Sequence, residues 1–395
     1  MTDSGPTWRL IALLAALTAF GPMSLDLYLP AFPEIARDFG ATTGDVQLTF
    51  SAALLGLGFG QVLWGPLSDR YGRRPPLMVG VLVFSAASIG IALAPSLPVM
   101  VGLRGVQALG GSAGIVVARA VLRDLFSGRD LARALGAVML TFMLAPALAP
   151  LLGWLVLHVA GWEAMFVLLA GFGLLCFAGV WMMTETLPVE RRSRHGVAGA
   201  MRTFGSIVRS SQFARPATIS ALGSIGLFAY ISFSPRVVMD GYGFSELAFA
   251  LVFGGLAVGI AVGAQVNGRL LRHRSSLWVL ERALVVQLVG ATGALVAAAL
   301  SAPFEVFLPL VAVAVATVIP VNSNAVALTM DPFPHAAASA AALLGGLQQI
   351  LAGLVAAGLA ASGLDPAVAM GAGMVASSGA GLLLTGVERG RRAAG

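Results

Sequence analysis

Long apolar runs alternate with short polar segments along the whole chain. Each run has about 20 residues, the length that an α-helix needs to cross a hydrocarbon core of about 30 Å. The runs cover residues 8–30, 45–67, 77–95, 99–122, 133–157, 162–184, 213–236, 245–268, 277–300, 304–329, 337–361 and 367–387. The first run contains Asp26 and lacks a small-residue cleavage site, so we expect it to remain as a helix and not to be removed as a secretory signal. The pattern predicts an all-α membrane protein with twelve transmembrane helices.

The composition agrees with a membrane protein. Of the 395 residues, 58% are hydrophobic and 11% are charged, whereas soluble domains carry roughly 25% charged residues. This balance argues against a water-soluble enzyme, a disordered chain and a disulfide scaffold. Cys176 is the single cysteine, so no intrachain disulfide can form.

The arginines orient the predicted helices. All 24 basic residues are arginines. If both termini are cytoplasmic, Arg37 and Arg236 fall on the outer side, Arg104 falls within a span and all others fall inside, as the positive-inside rule requires. Because the basic residues lie in short loops between spans, we expect no nucleic-acid partner. The predicted location is the bacterial cytoplasmic (inner) membrane.

The longest polar stretch divides the spans six and six. It predicts an N-terminal bundle over residues 1–184, a cytoplasmic linker that is partly helical over 185–212, and a C-terminal bundle over 213–395. Gly60-Gln61-Val62 near the end of the second span recurs as Ala264-Gln265-Val266 in the eighth span. Two six-helix halves joined by a basic loop are typical of secondary transporters.

Two charges within spans are candidates for chemistry, because each costs about 2.5–3.5 kcal/mol in hydrocarbon. Asp26 lies about 6 Å from the outer end of span one, and Arg104 about 9 Å into span four. If these helices adjoin, the two side chains can pair directly or through water. They then form either a static ion pair that fixes helix packing or a protonation site that the arginine tunes.

Four motifs resemble those of one known family. The second loop reads Gly65-Pro-Leu-Ser-Asp-Arg-Tyr-Gly-Arg-Arg74, and span four contains Arg104-Gly-Val-Gln-Ala-Leu-Gly-Gly111. Span five contains Ala145-Pro-Ala-Leu-Ala-Pro-Leu-Leu-Gly153, and span one ends in Asp26-Leu-Tyr-Leu-Pro30. Together these resemble the major facilitator superfamily, and within it the drug:proton antiporters of the Bcr/CflA subfamily. Within this subfamily the sequence most resembles the chloramphenicol and florfenicol exporters, and this resemblance includes the segment Ser234-Pro-Arg-Val237 at the end of span seven.

The resemblance implies roles for several residues. Asp69, Arg70, Arg73 and Asp124 would form a cytoplasmic charge cluster that latches one conformation. Pro146, Pro150 and Gly153 would shape the fifth span and limit proton leak. Asp26 would carry the proton and Arg104 would tune it. The resemblance also implies a fold of two six-helix bundles, a monomer in membrane lipid, and energy from the proton gradient without a cofactor.

The cargo is predicted less directly. Some relatives carry a second acid two turns before Asp26, where this chain has Thr18. One carboxylate opposite one arginine makes a nearly neutral cavity, which favours a neutral or weakly amphiphilic drug over a dication. Six residues are tentative substrate contacts, namely Asp26, Tyr28, Phe228, Tyr230, Asn322 and Gln348. The amides can equally join neighbouring helices, and the aromatic rings can equally face lipid or core.

The predicted function is drug:proton antiport by alternating access. No metal-ligand cluster, nucleotide-binding loop or catalytic triad occurs in the sequence, so we expect neither an enzyme nor an ATP-driven pump. Two alternatives stay open. One is a proton-coupled importer, or an exporter of an endogenous metabolite, since the fold does not set direction. The other is a passive channel or a membrane scaffold without transport.

Overall fold

The computed structural model describes residues 8–193, 196–333 and 337–394, and within these ranges the chain is helical without β strands. The first helices are α1 (Trp8–Asp26), α2 (Phe32–Asp38), α3 (Thr43–Tyr71), α4 (Arg74–Ala92), α5 (Leu97–Leu125), α6 (Gly128–Met182) and α7 (Gly196–Arg209). They are followed by α8 (Ser211–Pro235), α9 (Glu246–Leu270), α10 (Ser276–Ala299), α11 (Phe304–Ala316), α12 (Val318–Met330), α13 (Ala337–Ala360) and α14 (Pro366–Ala394).

Eleven helical stretches of the described chain are long and apolar enough to cross a membrane. One of them, α6, has 55 residues and contains Gly161 in a non-helical conformation with φ 78° and ψ 176°. A positive φ is accessible to glycine at little cost, so the chain can break the helix there and continue in a new direction. The break lies between the predicted fifth and sixth spans, so counting the two parts of α6 separately gives twelve candidate crossings in the described chain.

Two crossings are interrupted in ways that the apolar pattern did not predict. The first span was expected as one helix over 8–30, but α1 ends at Asp26 and a short 3₁₀ turn, Leu29–Ala31, leads into α2. Pro30 lies in that turn and has no N–H to continue the helical hydrogen bonds. The tenth span is divided into α11 and α12 at Thr317. The predicted linker, 185–212, contains α7, and residues 194 and 195 lie outside the described residues.

The chain divides into two compact units. Unit 1 comprises the described residues within 1–42 and 52–203, and unit 2 comprises those within 43–51 and 204–395. The division passes through α3, because the first nine residues of this helix belong to unit 2 and its remainder to unit 1.

Each unit has an apolar interior. In unit 1, Phe20 of α1 stacks on Phe84 of α4 with ring centroids 4.4 Å apart, and Phe172 of α6 meets Phe20 edge-on at 5.3 Å. Cys176 is buried in the second part of α6. In unit 2, branched side chains of α8, α10 and α12 form one buried cluster that includes Ile219, Leu280, Leu284, Val321 and Leu328.

Candidate functional site

Asp26 is the last residue of α1 and is only 3% exposed. Its Oδ1 is buried and accepts no hydrogen bond from the described residues. An ionised carboxylate in such surroundings is costly, whereas a protonated one is neutral. The side chain is therefore placed where gain or loss of a proton changes the local energy strongly.

Arg104 lies on α5, a different helix from that of Asp26, and its side chain is fully buried. Its Nη2 donates to the carbonyl oxygen of Ser24 at 2.8 Å, and its Nη1 donates to Oε1 of Gln107. Gln107 is itself held, since its Nε2 donates to Ser88 Oγ at 2.7 Å. The contact with Ser24 confirms that the first and fourth spans adjoin at the depth that the sequence predicted.

Asp26 and Arg104 form no direct ion pair in this structure, and pairing through water, the other arrangement that the sequence allowed, stays a prediction. Among the described residues Nη1 and Nη2 of the guanidinium bind other acceptors, and its buried Nε has no partner. The physical reason is the end of α1: the carbonyl groups in the last turn of a helix lack intrahelical partners. Ser24 offers such a carbonyl two residues before Asp26, and Arg104 binds it in place of the carboxylate.

Tyr28 is fully buried and packs against Arg104. Its ring lies over the Arg104 guanidinium, with the Arg104 Cζ 4.2 Å from the ring centroid, and it is fully buried beside Phe32 and Phe166. The prediction that Tyr28 contacts substrate therefore has no support from its burial. A ring over a guanidinium is a cation–π contact, which is stronger where water is excluded. Tyr28 thus stabilises the charge of Arg104 without neutralising it.

The predicted charge cluster forms within unit 1, around Arg73. The Arg73 Nε lies 2.7 Å from Asp124 Oδ2, and its Nη1 lies 2.5 Å from Asp69 Oδ1 and 3.0 Å from Ser68 Oγ. Burial lowers the pKa of Arg73, but the hydrogen bonds and charges of Asp124 and Asp69 outweigh it, so the pKa lies above the ordinary arginine value. Arg70, the fourth predicted member, instead lies over the ring of Tyr71 at 5.2 Å.

Glu185 belongs to this cluster and was not predicted. Its carboxylate accepts backbone N–H groups of Arg73 at 2.8 Å, Arg74 at 3.2 Å, Thr186 at 2.9 Å and Leu187 at 3.0 Å. Burial raises the pKa of Glu185, but these four hydrogen bonds together hold it below the usual glutamate value. The only sequence signal was an acid directly after the sixth span, which does not reveal a partner 112 residues away.

The predicted antiporter motif lies in the first part of α6. A Cβ placed on Gly153 would collide with the carbonyl oxygen of Leu27, so only glycine allows α6 to approach the end of α1 this closely. Pro150 is buried and Pro146 is half-buried in the preceding turns. The motif therefore packs against the backbone that follows Asp26.

The predicted amides of unit 2 form one hydrogen-bonded group. Gln348 Nε2 of α13 donates to Ser220 Oγ at 2.7 Å and to Asn322 Oδ1 at 3.1 Å. The neighbouring Gln349 has a buried Oε1 without a partner in the described chain. Gln348 and Asn322 are half-buried, so the group combines helix packing with some remaining access.

The two aromatic residues of unit 2 that were predicted to contact substrate, Tyr230 and Phe228, have different surroundings. Tyr230 stacks on Phe253 with centroids 5.6 Å apart, and both line an apolar cavity between α8, α9 and α11. Phe228 is half-buried and lies 6.4 Å from Phe50. Tyr230 thus faces a cavity within unit 2, and Phe228 contacts the part of α3 that belongs to this unit.

Gln47 is a further buried polar residue that sequence reasoning missed. Its Nε2 donates to Ser232 Oγ at 2.7 Å, and its Oε1 accepts Arg236 Nη1 at 3.2 Å. One turn earlier, Thr43 Oγ1 donates to Asp240 Oδ2 at 2.6 Å. A glutamine at the start of an apolar run was the only available signal. These bonds attach the first turns of α3 to α8 and the turn after it.

In the described part of the chain, no group of three or more His, Cys, Asp or Glu side chains is placed so that it could hold a metal ion.

A sequence model of the Major Facilitator Superfamily matches residues 14–357. The chain belongs to this superfamily. Relatives within it include a chloramphenicol resistance protein of Pseudomonas aeruginosa, 33% identical over 74% of this chain and 70% of that protein. A bicyclomycin resistance protein homolog of Haemophilus influenzae is 29% identical over 94% of this chain and 93% of its own length. A crystal structure of a D-xylose-proton symporter superposes with a TM-score of 0.74 at 16% identity, covering 95% of both chains, and this likeness shows the fold alone.

The superfamily assignment confirms the predicted all-α fold and the resemblance noted from the four motifs. It also places the chain in a family of transporters, in agreement with the apolar helices long enough to cross a membrane.

Proposed function

We propose that this protein exports neutral or weakly amphiphilic drugs, phenicols among them, across the bacterial cytoplasmic membrane in exchange for protons, with Asp26 as the proton carrier. The observation that carries the proposal is the environment of Asp26, a buried carboxylate with an unpartnered oxygen near a guanidinium whose two terminal nitrogens already bind other acceptors. Relatives named for chloramphenicol and bicyclomycin resistance support a drug as cargo.

The charge balance at the site favours neutral cargo. Deprotonated Asp26 offsets the permanent charge of Arg104, while protonated Asp26 leaves that charge uncompensated. A single carboxylate at this depth offers little to hold a dication, and Thr18 lies where some relatives have a second acid.

The cycle follows from mutual exclusion of proton and drug. Drug enters from the cytoplasmic side while Asp26 is deprotonated, and the transporter turns outward. A proton from outside then neutralises Asp26 and weakens drug binding. The protonated carrier resets and releases the proton inside. By linkage, each ligand weakens binding of the other by the same factor. No cofactor takes part, and the proton gradient supplies the energy.

Ligand-induced proton release tests this proposal. Chloramphenicol is added to the purified transporter in weakly buffered detergent, and released protons are followed with a pH indicator while binding is measured in parallel. The native protein should release protons, and Asp26→Asn should bind drug without releasing them. Asp130→Asn is the matched control, because Asp130 lies in an exposed pair with Arg133 at 3.4 Å. Drug binding without proton release from the native protein would favour a symporting importer.

A further inference from the structure

Arg119 is a charged side chain near the inner end of the fourth span, and neither the motifs nor the proposed cycle assigns it a role. It lies six residues before the end of α5, about 9 Å along the helix from that end. The side chain is half-buried, and its Nε is buried without an acceptor. Its guanidinium forms no hydrogen bond or ion pair with any described residue, in contrast to Arg104 on the same helix.

The described acids at the inner side of unit 1 are either engaged elsewhere or exposed. Asp69 and Asp124 both bind Arg73, and Asp130 pairs with Arg133. Glu185 accepts backbone N–H groups, and Glu190 is exposed. The nearest charge on the same helix is Arg123, one turn further on, and it has the same sign. The described part of unit 1 therefore provides no counter-charge for Arg119.

A half-buried guanidinium without a counter-charge is costly in a membrane protein. It is also a preformed binding group, because its five N–H donors lie in a planar fork that matches the oxygens of carboxylate and phosphate. We infer that Arg119 is the centre of an oxyanion-binding site at the inner side of unit 1. The anion comes from outside the chain, either as a free oxyanion of the cytoplasm or as the phosphate of an anionic lipid in the inner leaflet.

A purely structural arginine makes the opposite prediction about stability. If Arg119 only fills space or reaches the lipid interface with its stem, replacing it removes packing and destabilises the protein under all conditions. If it is an unoccupied anion site, Arg119→Gln relieves an uncompensated charge. The variant should then be at least as stable as the native protein without oxyanions, and less stable than the native protein when oxyanions are present.

The experiment measures thermal unfolding of the purified full-length chain in an uncharged detergent. In one arm, sodium phosphate is titrated against sodium chloride at matched ionic strength. In the second arm, mixed micelles contain either phosphatidylglycerol or phosphatidylcholine. Arg119→Gln is compared with Arg129→Gln, which removes the same charge from an exposed position at the start of α6. Arg119→Lys keeps the charge but loses the planar fork.

A ligand that binds only the folded state raises its unfolding midpoint as the site fills. Native protein and Arg129→Gln should respond to phosphate, to phosphatidylglycerol, or to both. Arg119→Gln should bind about tenfold or more weakly, and Arg119→Lys should fall between, as expected for loss of charge-assisted hydrogen bonds. A response to phosphate identifies a free oxyanion, and a response to phosphatidylglycerol alone identifies the lipid. No response in native protein, or an equal response in Arg119→Gln, would overturn the inference whether or not the protein exports drugs.

Discussion

Asp124→Asn tests whether the Arg73 cluster is a set of energetically unequal ion pairs. The Arg73 side chain is 8% exposed, and Asp124, at 19%, meets it through contacts of 2.7 Å and 3.4 Å. Asp69 is 58% exposed and meets it through one contact of 2.5 Å. The two carboxylates therefore differ in solvent screening and in the number of hydrogen bonds.

The magnitudes follow from this difference. Removing one partner of a fully buried pair costs roughly 3–5 kcal/mol. Here Asp69 still compensates Arg73 and asparagine can still accept one hydrogen bond, so we expect Asp124→Asn to lower the free energy of unfolding by about 2 kcal/mol. Asp69→Asn should cost at most about 1 kcal/mol, as for exposed pairs.

The assay is thermal unfolding of the purified variants in detergent, combined with a double-mutant cycle that includes Arg73→Gln. The coupling energy between Arg73 and Asp124 should exceed that between Arg73 and Asp69. An equal or larger cost for Asp69→Asn would refute the argument from burial, and a coupling energy near zero for both would show that the cluster does not stabilise unit 1.

Three further predictions concern unit 1. Because the pKa of Glu185 is lowered in the folded state, its stabilising contribution is present at neutral pH and is lost as pH falls through that lowered pKa; a stability profile across acidic pH should show this loss, and Glu185→Gln should lack it. Gly153→Ala should cost about 1–3 kcal/mol in the unfolding free energy, since a Cβ there meets backbone, while Gly171→Ala, with open space around its Cβ, should cost little. Tyr28→Leu should destabilise the protein by about 1–2 kcal/mol more than Tyr28→Phe in thermal unfolding, because phenylalanine keeps a ring over Arg104.

Properties that depend on position along a helix could be predicted from the sequence. Apolar run lengths located the spans, and the rise per residue placed Asp26 and Arg104 at a common depth, which the contact with Ser24 confirms. The partner of Arg104 could not be predicted in this way. It depends on the free carbonyl groups at the end of α1 and on the direction of the side chain, neither of which the spacing of residues records.

Partners that are distant in sequence were also missed. Glu185 binds backbone N–H groups more than a hundred residues earlier, and Gln47 binds α8 residues nearly two hundred positions later. A single sequence contains no signal for such pairs. The motif resemblance identified Arg73, Asp69 and Asp124 because the family pattern already carries that long-range information.

The buried state of Cys176 has a practical consequence for spectroscopy. The thiol is the only one in the chain, and it is enclosed within the second part of α6. The chain also contains no lysine, so amine-reactive labels find no target among its side chains. Cysteines introduced in pairs at exposed positions can therefore carry spin labels or fluorophores in an otherwise native protein, with little background from the resident thiol. Distances between such labels, recorded with and without drug at different pH values, would follow the transport cycle directly.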